Sequence, residues 1–175
     1  MNIIKMKMIK YLNIAFFTSL ALIVNNLNAD TLSEDASKRG INETCGSYLS
    51  QIEESYGLNG LNITFVNPNN PSIYPSLHIS SKKYNNGSST FAATLAPDGE
   101  YCYLSTIVVT AINNQSCNEI TDLKIKEDPE LQVSTYSDDN YTILTPIDNS
   151  YQIILTTSGE MSCTMTETRM LWPGR

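Results

Sequence analysis

The side chains of this chain that could do chemistry are four cysteines, one histidine and a scatter of carboxylates. Cys45, Cys102, Cys117 and Cys163 follow no CxxC or zinc-ligand spacing, and His78 is the only imidazole that could complete a metal shell. An even cysteine count in an exported chain instead predicts two disulfides. Four cysteines allow three pairings, and the sequence leaves all three open. The short separation favours Cys102 with Cys117, a loop worth about 3 kcal/mol by closure entropy. Cys45 would then tie to Cys163.

Any Ser-His-Asp or Cys-His mechanism would have to run through His78. Leu77 and Ile79 take one face of its predicted strand, which puts His78 with Ser76 and Ser80 on the other, read as the solvent side. No GxSxG elbow or Gly-rich helix start supplies an oxyanion hole. The carboxylates fall in solvated clusters: Glu53 and Glu54 on an outer helix face, Asp98 with Glu100 and Asp138 with Asp139 in turns, and Glu127, Asp128 and Glu130 in a loop. None forms the facing pair that cleaves a glycosidic bond, and the DxDxDG calcium loop is missing. No catalytic residue, metal ligand or cofactor is expected.

Recognition is left to the aromatics. Tyr101 and Tyr103 alternate on one face of a long strand with Ser105, Ile107 and Val109, and Tyr136 and Tyr141 stand near strand ends. These four tyrosines are the candidate binding surface; the competing reading is a half-buried sheet face. Trp172 reads as a plug at the end of the core.

The elements that would position these residues follow from periodicity. Ile41, Cys45, Tyr48, Leu49, Ile52 and Tyr56 recur at helical spacing within residues 33–56, with Gly57 as a left-handed cap. Gly40 interrupts the run, so the ordered helix is expected to start near Asn42, which can cap Thr44 and Cys45. Beyond Gly57 the period becomes two. Strands are predicted at 61–66, 76–81, 89–96, 101–112, 131–136, 141–146, 151–157 and 160–171, separated by turn residues such as Asn86-Gly87, read as a type I′ hairpin, and Ser158-Gly159. Ile120, Leu123 and Ile125 hint at a short helical turn opened by Ser116. No internal repeat is evident. The predicted class is α+β: one N-terminal helix packed on an antiparallel meander of about seven to eight strands, stapled by disulfides.

Residues 1–29 read as a secretory leader, with Lys5, Lys7 and Lys10 ahead of an apolar run and Ala29 before Asp30. Residues 30–175 would then form a single secreted domain in the periplasm or outside the cell, with no membrane span after cleavage. Removing the leader leaves eight basic against 18 acidic side chains, a net charge of -10. That balance disfavours a nucleic-acid partner, which needs a concentrated basic face, and it suits a cationic protein such as a basic muramidase. The expected function is a non-enzymatic binding or inhibitory module of the cell envelope. The alternatives are a carrier holding a small apolar ligand between helix and sheet, and, third, a secreted hydrolase.

Overall fold

The computed structural model describes residues 30–136 and 140–171; residues 1–29, expected to be a leader, and Asp138, Asp139 and Trp172 lie outside them. Two helices open the described chain where one was expected. Helix α1 (Leu32–Lys38) starts from a Thr31 capping box, and Gly40, at φ 78°, turns the chain before α2 (Glu43–Tyr56). Asn42 caps α2 as its sequence position requires: its Oδ1 accepts from the backbone N–H groups of Thr44 at 2.9 Å and Cys45 at 3.3 Å. Gly57, at φ 58°, closes the helix. Cys45, Leu49 and Ile52 form its buried stripe.

Eight strands follow, with a third helix between the fourth and fifth. They are β1 (Leu61–Phe65), β2 (Ser76–Tyr84), β3 (Gly87–Asp98), β4 (Tyr101–Asn113), β5 (Gln132–Tyr136), β6 (Tyr141–Thr145), β7 (Tyr151–Gly159) and β8 (Ser162–Leu171). All pairings are antiparallel and the sheet order is β1-β2-β3-β4-β8-β7-β6-β5. The expected meander is thus two meanders, joined where β4 pairs with β8. The β2–β3 hairpin also differs from expectation. Tyr84 pairs with Gly87, so the turn is Asn85-Asn86, and none of these residues has the positive φ of a type I′ turn. Gly87 is needed for a different reason: a Cβ there would lie 1.9 Å from the Ala111 carbonyl oxygen of β4.

The segment between the meanders, expected to hold no more than a helical turn, forms α3 (Cys117–Glu127), opened by a Ser116–Glu119 capping box. It lies on β6, β7 and β8, while α2 lies on β3 and β4, and α1 on β1 and β2. These three helices cover one side of the sheet, and among the described residues no helix is long and apolar enough to cross a membrane.

The disulfides are Cys45–Cys102 and Cys117–Cys163, not the expected pairs. Cys102 and Cys117 are near in sequence and far apart in space. Between them runs β4, whose 13 extended residues span roughly 40 Å at about 3.3 Å each. Each observed bond joins the first turn of a helix to the second residue of the fourth strand that follows it. The chain therefore repeats one plan, helix and four-stranded meander with a helix-to-last-strand staple, which no sequence period announced. Each half has its own core: Leu32, Leu49, Phe91, Leu95 and Leu104 in the first, and Ile120, Leu144, Ile153 and Leu155 in the second.

Candidate functional site

His78 is buried, not exposed: it stands at 0% accessibility on the helix-covered side of β2. Its Nε2 shares a hydrogen bond with the Ser76 hydroxyl at 2.8 Å and its Nδ1 with the Thr64 hydroxyl at 3.3 Å. Burial lowers its pKa to about 4, with Asp35 opposing weakly, so the ring is neutral at physiological pH. This Ser-His contact is sealed from solvent and cannot reach a substrate. Glu53 likewise departs from its expected place on a solvated outer face. Its carboxylate accepts from the Leu32 N–H at 2.6 Å, the Ser33 N–H at 3.2 Å and the Ser33 hydroxyl, and so caps α1. Among the described residues no group of three or more His, Cys, Asp or Glu side chains could hold a metal ion.

The sheet has a second face that no helix covers, and its composition is unusual. Following the register across the strands, this open face carries Leu61, Ile63 and Phe65 on β1, Leu77 and Ile79 on β2, and Ile107 and Val109 on β4. Thr164, Thr166 and Thr168 on β8, Ile154 on β7 and Ile143 on β6 continue it. Among its described positions only Lys83 and Asp98, at the strand ends, are charged. The other acidic side chains sit on the helices, in turns and loops and, for Glu167, on the helix-covered side of β8; Asp98, Glu100 and Asp148 line one rim. Asp148 is held below the usual carboxylate range by hydrogen bonds from Ser150.

On β1 and β2 the usual burial is inverted. Thr64, Ser76, His78 and Ser80 are buried beneath the helices, whereas Leu61 is 66% and Phe65 55% exposed on the open side. Leaving side chains of this size in water forgoes about 1.5–3 kcal/mol each. A one-residue change of register would exchange the two sets, so the display is a property of the native pairing. Gly60 bears on that register, because a Cβ there would fall 1.8 Å from the Ser81 carbonyl oxygen.

All four candidate tyrosines lie on this face, in two groups. Tyr101 and Tyr103 start β4, next to Asp98 and Ala96 of β3. Tyr136 and Tyr141 pair across β5 and β6 at the far edge and the opposite end, stacked with ring centroids 4.9 Å apart. Between the groups, the 148–152 segment stands beside Ser105, Ile107, Thr168 and Met170 to form an open depression of about 670 Å³. Under α2 the space is filled by Leu49, Leu95 and Leu104. A groove of about 280 Å³ lies beside that helix, where Tyr48, Tyr56 and Arg169 line it. Arg169 itself is engaged, its Nε donating to Glu167 at 2.8 Å and its guanidinium lying 4.8 Å from the Tyr151 ring centre.

Sequence reading places Ile107 and Val109 on the face of Tyr101 and Tyr103 but not Leu61, Ile63, Phe65, Leu77 and Ile79, because alternation on β2 predicts Leu77 and Ile79 on the inner side and His78 on the outer one. In comparisons with known proteins, no family model, no curated protein and no solved structure matches this chain.

Proposed function

We propose that this protein is an exported, non-enzymatic binding module that docks the open face of its sheet on another protein. The observation that carries the reading is the near absence of charge from that face in a chain of 18 acidic residues. Interface centres are depleted in charge and enriched in tyrosine, and exposed apolar patches on a folded domain mark contact surfaces. A charged group on the partner's centre would be buried without a counter-ion here, so the matching surface is itself uncharged. Asp98, Glu100 and Asp148 on the rim favour basic side chains around that centre and faster encounter with a cationic protein. Two disulfides and the leader-like residues 1–29 support an extracytoplasmic setting. The filled space under α2 weighs against the ligand carrier.

Site-specific photo-crosslinking in envelope extract tests the proposal. A probe at Thr166, central on the open face, is expected to give one discrete protein adduct, and a probe at Asp122 on the outside of α3 none. Adducts from Asp122 alone, or equal labelling from both positions, would overturn it.

A further inference from the structure

The two free edges of the sheet are β1 and β5, and β1 carries features that point to a second copy of this chain. Residues 55–81 contain no Asp, Glu, Lys or Arg, whereas an overall charged fraction of 17% would place four or five there. This run holds β1, the loop after it and most of β2, and His78 within it is buried and neutral. Its exposed apolar side chains on the sheet lie together, Leu61, Ile63 and Phe65 on β1 with Leu77 opposite Phe65, and the loop adds the exposed Ile73 and Tyr74. Edge strands are ordinarily guarded by charge, proline or a bulge, because their unpaired backbone groups accept another strand. Residues Leu61–Phe65 have none of these, and among the described residues β1 pairs with one strand only, β2, while the Asn62 side chain donates to the Asp30 carbonyl oxygen at 3.3 Å.

We infer that β1 pairs antiparallel with β1 of a second copy, about a two-fold axis through Ile63, to make one continuous sheet across a homodimer. The strand is self-complementary under that operation. Leu61 meets the copy's Phe65, Ile63 meets itself, and Asn62 meets Thr64, so apolar faces apolar on the open side and polar faces polar on the helix side. Charge selects the same occupant. Without residues 1–29 each chain carries a net charge of -10 and repels its copy over most of its surface, and this edge is where the two approach with least like charge: Asp30, whose carbonyl oxygen accepts from the Asn62 side chain, is itself paired with Lys38. The helix lying over the edge, α1, has mixed charge, with Glu34 and Asp35 balanced by Lys38 and Arg39. A five-residue strand with a few flanking side chains falls in the small interface class, so the dimer is reversible. The inference goes beyond the docking proposal and does not depend on it, since the open faces of both copies stay free and side by side.

Sedimentation equilibrium of the disulfide-intact protein over a wide concentration range tests it without any partner. The expected result is a reversible dimer that tightens as salt is raised, because screening removes the repulsion between acidic copies. Ile63→Lys places two like charges at the axis and is expected to weaken dimerisation by about 100-fold or more. Ser134→Lys on β5 leaves it unchanged. Should Ile63→Lys fail to fold, Ile63→Cys serves instead, and mild oxidation is expected to give covalent dimers that Ser134→Cys does not. A monomer at every concentration, or a dimer lost on Ser134→Lys and kept on Ile63→Lys, would overturn the inference.

Discussion

Residues 32–113 and 117–171 build the same arrangement, a helix stapled to the last of four antiparallel strands, but the two halves differ in what they hide. The first half brings two helices and a core that includes Leu32, Leu49, Phe91, Leu95 and Leu104, and beside that core it also buries His78, Thr64, Ser76 and Ser80. The second half has one helix and a smaller core, and every position of its edge strand β5 is exposed. The larger core offsets a buried polar strand edge, which frees apolar side chains for the outside. The smaller core has little to spare and relies more on its disulfide. Identical topology thus supports different stability ledgers in one sheet.

Breaking the staples separates the halves most strongly. Closure entropy assigns about 4 kcal/mol to each loop, since the separations of 57 and 46 residues are similar. Replacing Cys117 and Cys163 with Ala is expected to remove hydrogen-exchange protection from β5, β6 and β7 first, while β3 and β4 stay protected. The Cys45→Ala, Cys102→Ala variant is expected to retain more of its own half. Uniform loss of protection in both variants would show that the halves are one cooperative unit.

Acid acts next, and on the first half. His78 has a folded pKa of about 4 against an ordinary value of 6.5, so its neutral form is favoured by folding. Its contribution is complete above pH 6.5 and is lost as pH falls from there to about 4, on the order of 3 kcal/mol. Denaturant melts at pH 7 and pH 4.5 would show this loss, and His78→Gln is expected to remove the greater part of it. A wild-type pH dependence unchanged in that variant would assign it to carboxylates instead. Smaller again is Glu53→Ala, which leaves the N–H groups of Leu32 and Ser33 without their acceptor and is expected to cost about 1–2 kcal/mol in a chemical melt. In the second half Tyr136→Ser removes the stacking of exposed Tyr136 on half-buried Tyr141 and is expected to cost under about 1 kcal/mol.

Much of the fold was legible because local signals agreed. The Asn42 cap, the Gly57 stop, the change of period after Gly57 and the eight strands all appear near their predicted bounds. The disulfide pairing was not, because closeness in sequence misleads when the intervening chain is one long strand. Nor was the burial of His78. Alternation reveals that Ser76, His78 and Ser80 share a side, but which side is covered depends on where α1 comes to rest, a tertiary fact. The same ambiguity concealed the open face. Its residue types could be read from the sequence, and its exposure could not.

The most direct test of the central claim is a paired measurement of stability and crosslinking on an Ile107→Lys, Ile154→Lys variant, which puts two charges on the open face away from one another. The account predicts a variant that stays folded, weakened by no more than about 2 kcal/mol because Ile107 is exposed and Ile154 only half-buried, together with loss of the adduct formed through Thr166. Unfolding of the variant, or an adduct of undiminished yield, would contradict it.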